Sequence, residues 1–481
     1  ILFLTESCPY GTEYINSTKV SGEQVYFRDR LLKASPMKWT YQPNCTPSIS
    51  LSANQRYYFD NKRRLGDHPS TIRGVFPKHL KLFYFFILAA LLLLAVPGQA
   101  QFERVFGTAL DESFSKVIQS GSSYYVLGSG EITDGQPARA MVSRLNAAGE
   151  LVWTLSLNTA SAWKDAVLTP AGNLLVVGHT LPDDANSKSI MGSVTATGTF
   201  AWVRSYDNLG KDGFLKIVRN LSPQNPGFPY YVLGYQTDAM TMNTDMVLLN
   251  FDALGSLNFV KLYTDSFFFS GSEDARDLEA LANGDLLIAF NHETQGILMR
   301  TNNAGQPFSG AAPEFSFSII DLAQGDGGDI YAVGKNNQND EVHLMKFNEE
   351  LIDLWDYTIS GMSQVSQVLH AAANGDLYLA GKKATTLEPC VFRFTENDGT
   401  PELLAVKLLN GNATSQSGGT LSMLSGNQLA FADGRSVPTT NFGQSCAFVA
   451  VTDLDLNSCV ASNGTGDLQS VNTIYNGPEL P

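Results

Sequence analysis

The chain has 481 residues, 43% hydrophobic and 11% aromatic, with 42 glycines and 47 acidic against 32 basic residues. That is a globular composition rich in turn formers, and its acidic balance argues against nucleic acid or anionic lipid as a partner. Five cysteines are too few for a disulfide framework, so stability has to come from apolar burial.

Residues 1–77 carry ten Lys/Arg against six Asp/Glu and follow no recognisable pattern, whereas residues 101–481 carry 20 against 41. Between them lie Lys78-His-Leu-Lys81, an apolar run from Leu82 to Val96, and Pro97-Gly-Gln-Ala100. A basic start, an apolar run and small residues make residues 78–100 a secretory signal peptide, cleaved after Ala100. The run of 15 is short for a spanning helix, which needs about 20 residues. The mature chain is therefore expected to begin at Gln101, without residues 1–77, and to be secreted or held at the cell surface with no membrane span. A basic cytoplasmic head on a membrane anchor is the alternative reading of the same residues.

From Gln101 one motif recurs. It is clearest at Gly172-Asn-Leu-Leu-Val-Val-Gly178, with relatives at 121–128, 227–234, 284–290, 328–334, 375–381 and 426–432. Steps of 44 to 56 residues, each with an apolar strand, point to a radial array of repeated units. Each unit offers four runs rich in Val, Ile, Leu, Tyr and Phe, bounded by Gly, Asn and Asp. In the second unit these are Trp163–Pro170, Leu174–Gly178, Ile190–Thr195 and Phe200–Tyr206. The second run is apolar almost throughout, as a strand covered on both faces should be. The expected fold is all-β: a seven-bladed β-propeller of four-stranded antiparallel blades over residues 101–462, with residues 463–481 as a tail or linker.

Turns of one kind fall between the third and fourth runs, as in Leu145-Asn-Ala-Ala-Gly-Glu150 and Phe251-Asp-Ala-Leu-Gly255. Unit four is the least regular, with Phe290 where the other units place a small residue. Phe102–Gly107 reads as an orphan fourth strand, expected to pair with Ala447–Thr452 and close the ring, with Ser458–Ser462 as its competitor.

The stretches Thr244-Asp-Met-Val-Leu-Leu-Asn-Phe-Asp-Ala-Leu-Gly255 and Val142-Ser-Arg-Leu-Asn-Ala-Ala-Gly-Glu-Leu-Val-Trp153 resemble propeller repeats of proteins exported by Bacteroidota. The resemblance covers residues 102–460 and implies fold rather than role. Asn146-Ala-Ala-Gly-Glu-Leu-Val-Trp153 also resembles the tryptophan-docking repeat of quinone-dependent dehydrogenases. Here only Trp153, Trp202 and Trp355 hold comparable positions, where packing between blades is the commoner role.

No concentrated catalytic motif stands out, so no catalytic residue, metal site or cofactor is expected. His179, His292, His343 and His370 are spread over four units without metal-ligand spacing. Asp453-Leu-Asp-Leu-Asn457 has alternate oxygens of a calcium loop but lacks its glycine and distal glutamate, and reads as a turn. Cys446 and Cys459 share the last unit, where export would permit a disulfide. Connections between second and third strands are long at 129–139, 179–189, 235–245 and 433–445, and long loops carry function more often than short turns. Asp183, Asp184, Tyr235, Asp238 and Asp245 are accordingly expected to line a binding face for a neutral or cationic ligand. The function this implies is a monomeric binding or interaction module for a glycan or a surface protein. A polysaccharide-active propeller enzyme, a lyase or glycosidase, is the alternative, favoured if carboxylates converge with aromatic platforms on one face.

Overall fold

The structure, a computed structural model, describes residues 101–107, 111–131, 136–180, 187–206, 211–220, 226–238, 240, 243–264, 271–313, 316–409, 414–415, 418–436, 446–457, 465–467 and 472–474. The signal-peptide stretch, residues 1–77 and Ser458–Ser462 lie outside them. Among the described residues the fold is all-β, with one short 3-10 turn at Asp326–Gly328 and no helix long and apolar enough to cross a membrane.

Strand β1 (Phe102–Gly107) is followed by β2 (Glu112–Ser120), β3 (Ser123–Gly130), β4 (Arg139–Leu145), β5 (Leu151–Leu168), β6 (Leu174–Thr180), β7 (Ser189–Val194) and β8 (Phe200–Tyr206). Next come β9 (Lys211–Arg219), β10 (Tyr230–Thr237), β11 (Thr244–Phe251), β12 (Leu257–Tyr263), β13 (Glu273–Ala280), β14 (Leu286–His292), β15 (Gln295–Thr301) and β16 (Pro307–Ala311). The series continues with β17 (Phe317–Gln324), β18 (Ile330–Asn336), β19 (Val342–Phe347), β20 (Asp353–Ile359), β21 (Met362–Ala371), β22 (Asp376–Lys383), β23 (Pro389–Asn397) and β24 (Thr400–Leu408). It ends with β25 (Thr414–Ser415), β26 (Thr420–Leu424), β27 (Gln428–Ser436) and β28 (Cys446–Asp453), then the short β29 (Thr465–Asp467) and β30 (Asn472–Ile474).

The propeller is built of four-stranded antiparallel blades, but not of seven separate ones. Five blades stand alone: β9–β12, β13–β16, β17–β20, β21–β24, and the closing set of β26, β27, β28 and β1. The first two sequence units instead share one sheet of seven strands, β2–β8, which β30 extends to eight by pairing with β5, because β5 runs unbroken for 18 residues. Its first half pairs with β4 and its second half with β6. Leu157-Asn-Thr-Ala-Ser-Ala-Trp163 contains neither Gly nor Pro, so nothing in the local chemistry stops the strand at the junction. Elsewhere the junction does carry a breaker, as at Pro313 and Gly361.

Closure is by the N-terminal strand. β1 lies antiparallel to β28, with Phe102 opposite Val451 and Phe106 opposite Ala447. Phe102 and Phe106 are buried with Phe114, Val117, Val449 and Val451 in one cluster, so the join is a packed core rather than a ladder alone.

Between innermost and second strands, one pairing recurs with a bulge beside it. Gly128 faces Phe114, Gly178 faces Trp163, Gly234 faces Phe214, Gly334 faces Ile319 and Gly381 faces Val365. A Cβ on Gly178 would fall 2.0 Å from the Ala162 carbonyl oxygen, so the kinked inner strand leaves no room for a side chain there. Unit four reverses the arrangement: Phe290 supplies the bulk and Ala275 the small partner.

Candidate functional site

On the face bearing the second-to-third-strand connections, β10 and β11 form a hairpin in which Tyr235 pairs with Met246 and Asp245 with Gln236. Asp238 caps its end: its N–H donates to the Asn243 carbonyl (2.8 Å) and its Oδ1 accepts the Met240 N–H (2.7 Å), leaving Met240 95% exposed. The Tyr235 ring lies against Gly213, where a Cβ would approach it to 2.7 Å. Burial raises the Tyr235 phenol, against a hydrogen bond with Ser187, and Asp212 and Asp274 push it the same way as burial. Three of the five expected residues, Tyr235, Asp238 and Asp245, thus lie on one hairpin, but Tyr235 and Asp245 occupy adjacent register positions and so face opposite sides of it, while Asp212 and Asp274 of neighbouring elements act on the phenol. Asp183 and Asp184 lie outside the described residues.

A second place was not anticipated. A cavity of about 550 Å³ runs along the axis, lined by inner strands of every sheet. At the position following each bulge stand Lys116, Asp165, Lys216, Asp277, Asp321 and Gln367. The acceptors among them reach sideways to the next unit. Asp165 Oδ2 accepts the Ile217 N–H (3.0 Å), Asp277 Oδ2 that of Leu322 (2.8 Å), Asp321 Oδ2 that of Val368 (3.0 Å) and Gln367 Oε1 that of Leu421 (2.5 Å). Lys116 pairs with Asp165 at 3.3 Å, and Lys216 with both Asp277 (2.8 Å) and Asp321 (3.0 Å). Burial works to lower the Lys216 ammonium, but Asp277, Asp321 and Asp165 outweigh it and hold it well above its ordinary value. Burial and the neighbouring Asp277 raise Asp321 against the pull of Lys216, because one ammonium serves two carboxyls.

Glu279, two residues beyond Asp277, also lines the cavity. Its side chain makes no hydrogen bond or ion pair with the described residues. Burial, reinforced by Asp277 and opposed by Lys216 and Lys116, pushes its carboxyl up to about 8. No Tyr, Trp or Phe is among the lining residues. Carboxylates therefore converge in the channel as a polysaccharide-active site would need, but the three aspartates already bind lysines and backbone N–H groups, and the aromatic platforms are missing.

The opposite face is occupied by bracing between units. Arg104 donates to the Ala148 carbonyl (3.4 Å), Arg144 to that of Ala196 (2.8 Å), Arg204 to that of Gly255 and Arg300 to that of Glu349 (2.6 Å). Each carbonyl belongs to the turn of the following unit. In three of those turns a single side chain, Asn146, Asp252 or Asn348, accepts two N–H groups: Asn146 Oδ1 takes those of Ala148 and Glu150, both at 2.9 Å. Gly149, Gly198, Gly255 and Gly305 take φ of 69° to 82° there, while Leu351 (65°) and Leu456 (60°) fill the same left-handed position in later units. Trp153 and Trp202 lie against Gly198 and Gly255, so the tryptophans pack between units. Asp453 accepts the Asn457 N–H within its turn (2.8 Å) and Asp455 pairs with Arg393. Cys390 is a buried thiol pushed up to about 12 by burial, Cys446 is buried in β28, and Cys459 lies outside the described residues.

No known protein family matches the sequence, and no curated protein matches it either. Among solved structures, virginiamycin B lyase from Staphylococcus aureus is similar at 12% identity and TM-score 0.48, over 73% of this chain and 98% of that one. The Dos1 propeller is similar at 11% identity and TM-score 0.47, over 73% and 80%. The polysaccharide lyase Uly1 is similar at 10% identity and TM-score 0.47, over 71% and 90%. At such identities the likeness concerns the fold and not the activity.

Proposed function

We propose that this propeller is a secreted or cell-surface binding module whose ligand, a glycan or a neutral or cationic surface group, docks on the face carrying the long connections. The observation that supports this reading is the position of Tyr235 and Asp238 at the end of one hairpin, with Asp212 and Asp274 near the Tyr235 phenol. An aromatic ring with carboxylates near its phenol offers a sugar an apolar surface and hydrogen-bond acceptors together. The opposite face has its cations and turn carbonyls engaged in holding units together, which leaves it less suited to recognition. Extra length in the second-to-third-strand connections costs the fold little, and such loops on a rigid scaffold commonly carry binding residues.

The test is alanine substitution of Tyr235, Asp238 and Asp245, alone and with Asp183 and Asp184, followed by binding to a glycan panel and a cell-surface extract. Binding by the unaltered protein and its loss in the variants, with the melting temperature unchanged, is the expected result. Retained binding in the fivefold variant would refute this placement of the site.

A further inference from the structure

The axial cavity holds an imbalance that the folding of the ring does not use. Four carboxyl groups, Asp165, Asp277, Asp321 and Glu279, face two ammonium groups, Lys116 and Lys216. The aspartates join the units by accepting N–H groups of the next one. Glu279 joins nothing, and the equivalent positions two residues past the bulge are Ile118, Val167, Val218, Ala323 and Leu369. A carboxyl placed where these five counterparts are apolar, and left without a hydrogen bond or ion pair among the described residues, costs stability unless something enters to meet it. Part of its surface stays open to the cavity even though protein encloses it deeply. The space, about 550 Å³, is in the range that takes a small organic molecule. Ile118, Val218, Leu369 and Met423 provide an apolar lining around the one unengaged acid.

We propose that the axial cavity binds an organic cation with an apolar body, with Glu279 as its counter-ion. The site is separate from the hairpin face of the proposed function, and does not depend on it. Burial keeps the Glu279 carboxyl protonated near neutral pH in the empty cavity. An entering cation takes the place of that proton, which passes to solvent, so binding releases one proton and strengthens as pH rises. The other titratable groups around Glu279 are Lys116 on β2, Asp165 on β5, Lys216 on β9, Asp277 on β13, Asp321 on β17 and His370 on β21. His370 is lowered by burial and so stays neutral from pH 7 upward.

Benzyltrimethylammonium is a suitable probe because its charge does not titrate, and neopentylbenzene is its neutral isostere. Calorimetry on the mature chain should show saturable binding of the cation, strengthening about fiftyfold between pH 6 and 8 as the carboxylate fraction rises and most steeply over the first unit. In Glu279→Gln, which keeps shape and removes no hydrogen bond, binding should weaken at least about tenfold at pH 8 and lose that slope. The alanine variants of the hairpin face should bind the probe like the unaltered protein. Absence of saturable binding to the unaltered protein, equal binding of the neutral isostere, or an unchanged affinity and pH slope in Glu279→Gln would each overturn the proposal.

Discussion

Phe290 lies directly across from Ala275, the reverse of the small-against-large pairing that Gly178 and Trp163 make in the second unit. The two arrangements fill the same space from opposite strands, so the irregularity of unit four is a compensated exchange. Phe290→Gly alone should open a cavity and cost about 4 kcal/mol. Adding Ala275→Phe should restore at least about 1 kcal/mol, since the pair would then match its counterparts. Denaturant unfolding of the two single variants and the double variant measures the coupling. Simple additivity would show that the two positions do not share their space.

Leu351 takes a φ of 65°, where other units use glycine, yet its side chain is buried at 5% exposure against the core of the fourth and fifth units. Left-handed geometry costs a non-glycine residue roughly 1–2 kcal/mol, whereas burying a leucine contributes about 2–3 kcal/mol. Burial outweighs strain. Leu351→Gly should therefore destabilise by about 1 kcal/mol, although a glycine would relax the backbone. A gain in stability would reverse that ranking.

His179 is buried in β6, and burial, helped by Lys164 and Lys211, lowers its imidazole to about 4. The unfolded chain takes up this proton first as pH falls, near the ordinary value of 6.5. Stability is accordingly unaffected above pH 7 and declines between about pH 6.5 and 4, by up to about 3 kcal/mol. Unfolding of the native protein and of His179→Asn across that range should show a difference that shrinks as the pH drops. A constant difference would mean that another group carries the acid sensitivity.

Glu279 acts in the opposite sense. Its folded carboxyl sits near 8 against an ordinary 4.5, so the unfolded chain releases the proton first as pH rises. The native state loses ground through that interval, by roughly 2 kcal/mol once screening by cavity water is allowed for. In the absence of ligand, Glu279→Gln should be more stable than the native protein at pH 8, and the two should converge towards pH 4. Equal stability at pH 8 would show that the carboxyl is solvated.

The pairing of β1 with β28 can be tested by removing it. A chain lacking residues 101–107 should lose several kcal/mol, because the ladder and the buried Phe102 and Phe106 go together. A synthetic peptide of residues 101–107 should raise its Tm in a concentration-dependent way. A Tm indifferent to the peptide would show that the edge of β28 is not a free docking place for that strand.

Much of this architecture is legible in the residues themselves. The strands stand out because apolar runs such as Leu174–Gly178 are bracketed by turn formers, and Phe102–Gly107 resembles the outer strands it joins. The fused first sheet is harder to see. Its signal is an omission, the lack of Gly or Pro between Leu157 and Trp163, which a search for strand boundaries passes over. The channel ring is hidden for a different reason. Lys116, Asp165, Lys216, Asp277, Asp321 and Gln367 share a place and a polarity but not a charge, so the column emerges only when the first strands are superposed on their bulges. Glu279 is a single departure within an apolar column, and one residue in one unit gives no periodic signal. Of the hairpin face, loop length marked Tyr235, Asp238 and Asp245, but Asp212 and Asp274 join them through the fold.

The closing sheet also sets an order of events. Phe102–Gly107 leads the propeller out of the ribosome, while its partner Cys446–Asp453 emerges after the other blades of the ring. Throughout synthesis the earliest strand must wait, and the growing array keeps two bare edges that no intermediate length of chain can join. Local hairpins such as β10–β11 can form as they appear, so the slow step is a single long-range encounter between two strands at opposite ends of the ring's order in the chain. A stall or cleavage late in translation would therefore leave a nearly finished ring that is open, sticky at both ends and a target for proteolysis.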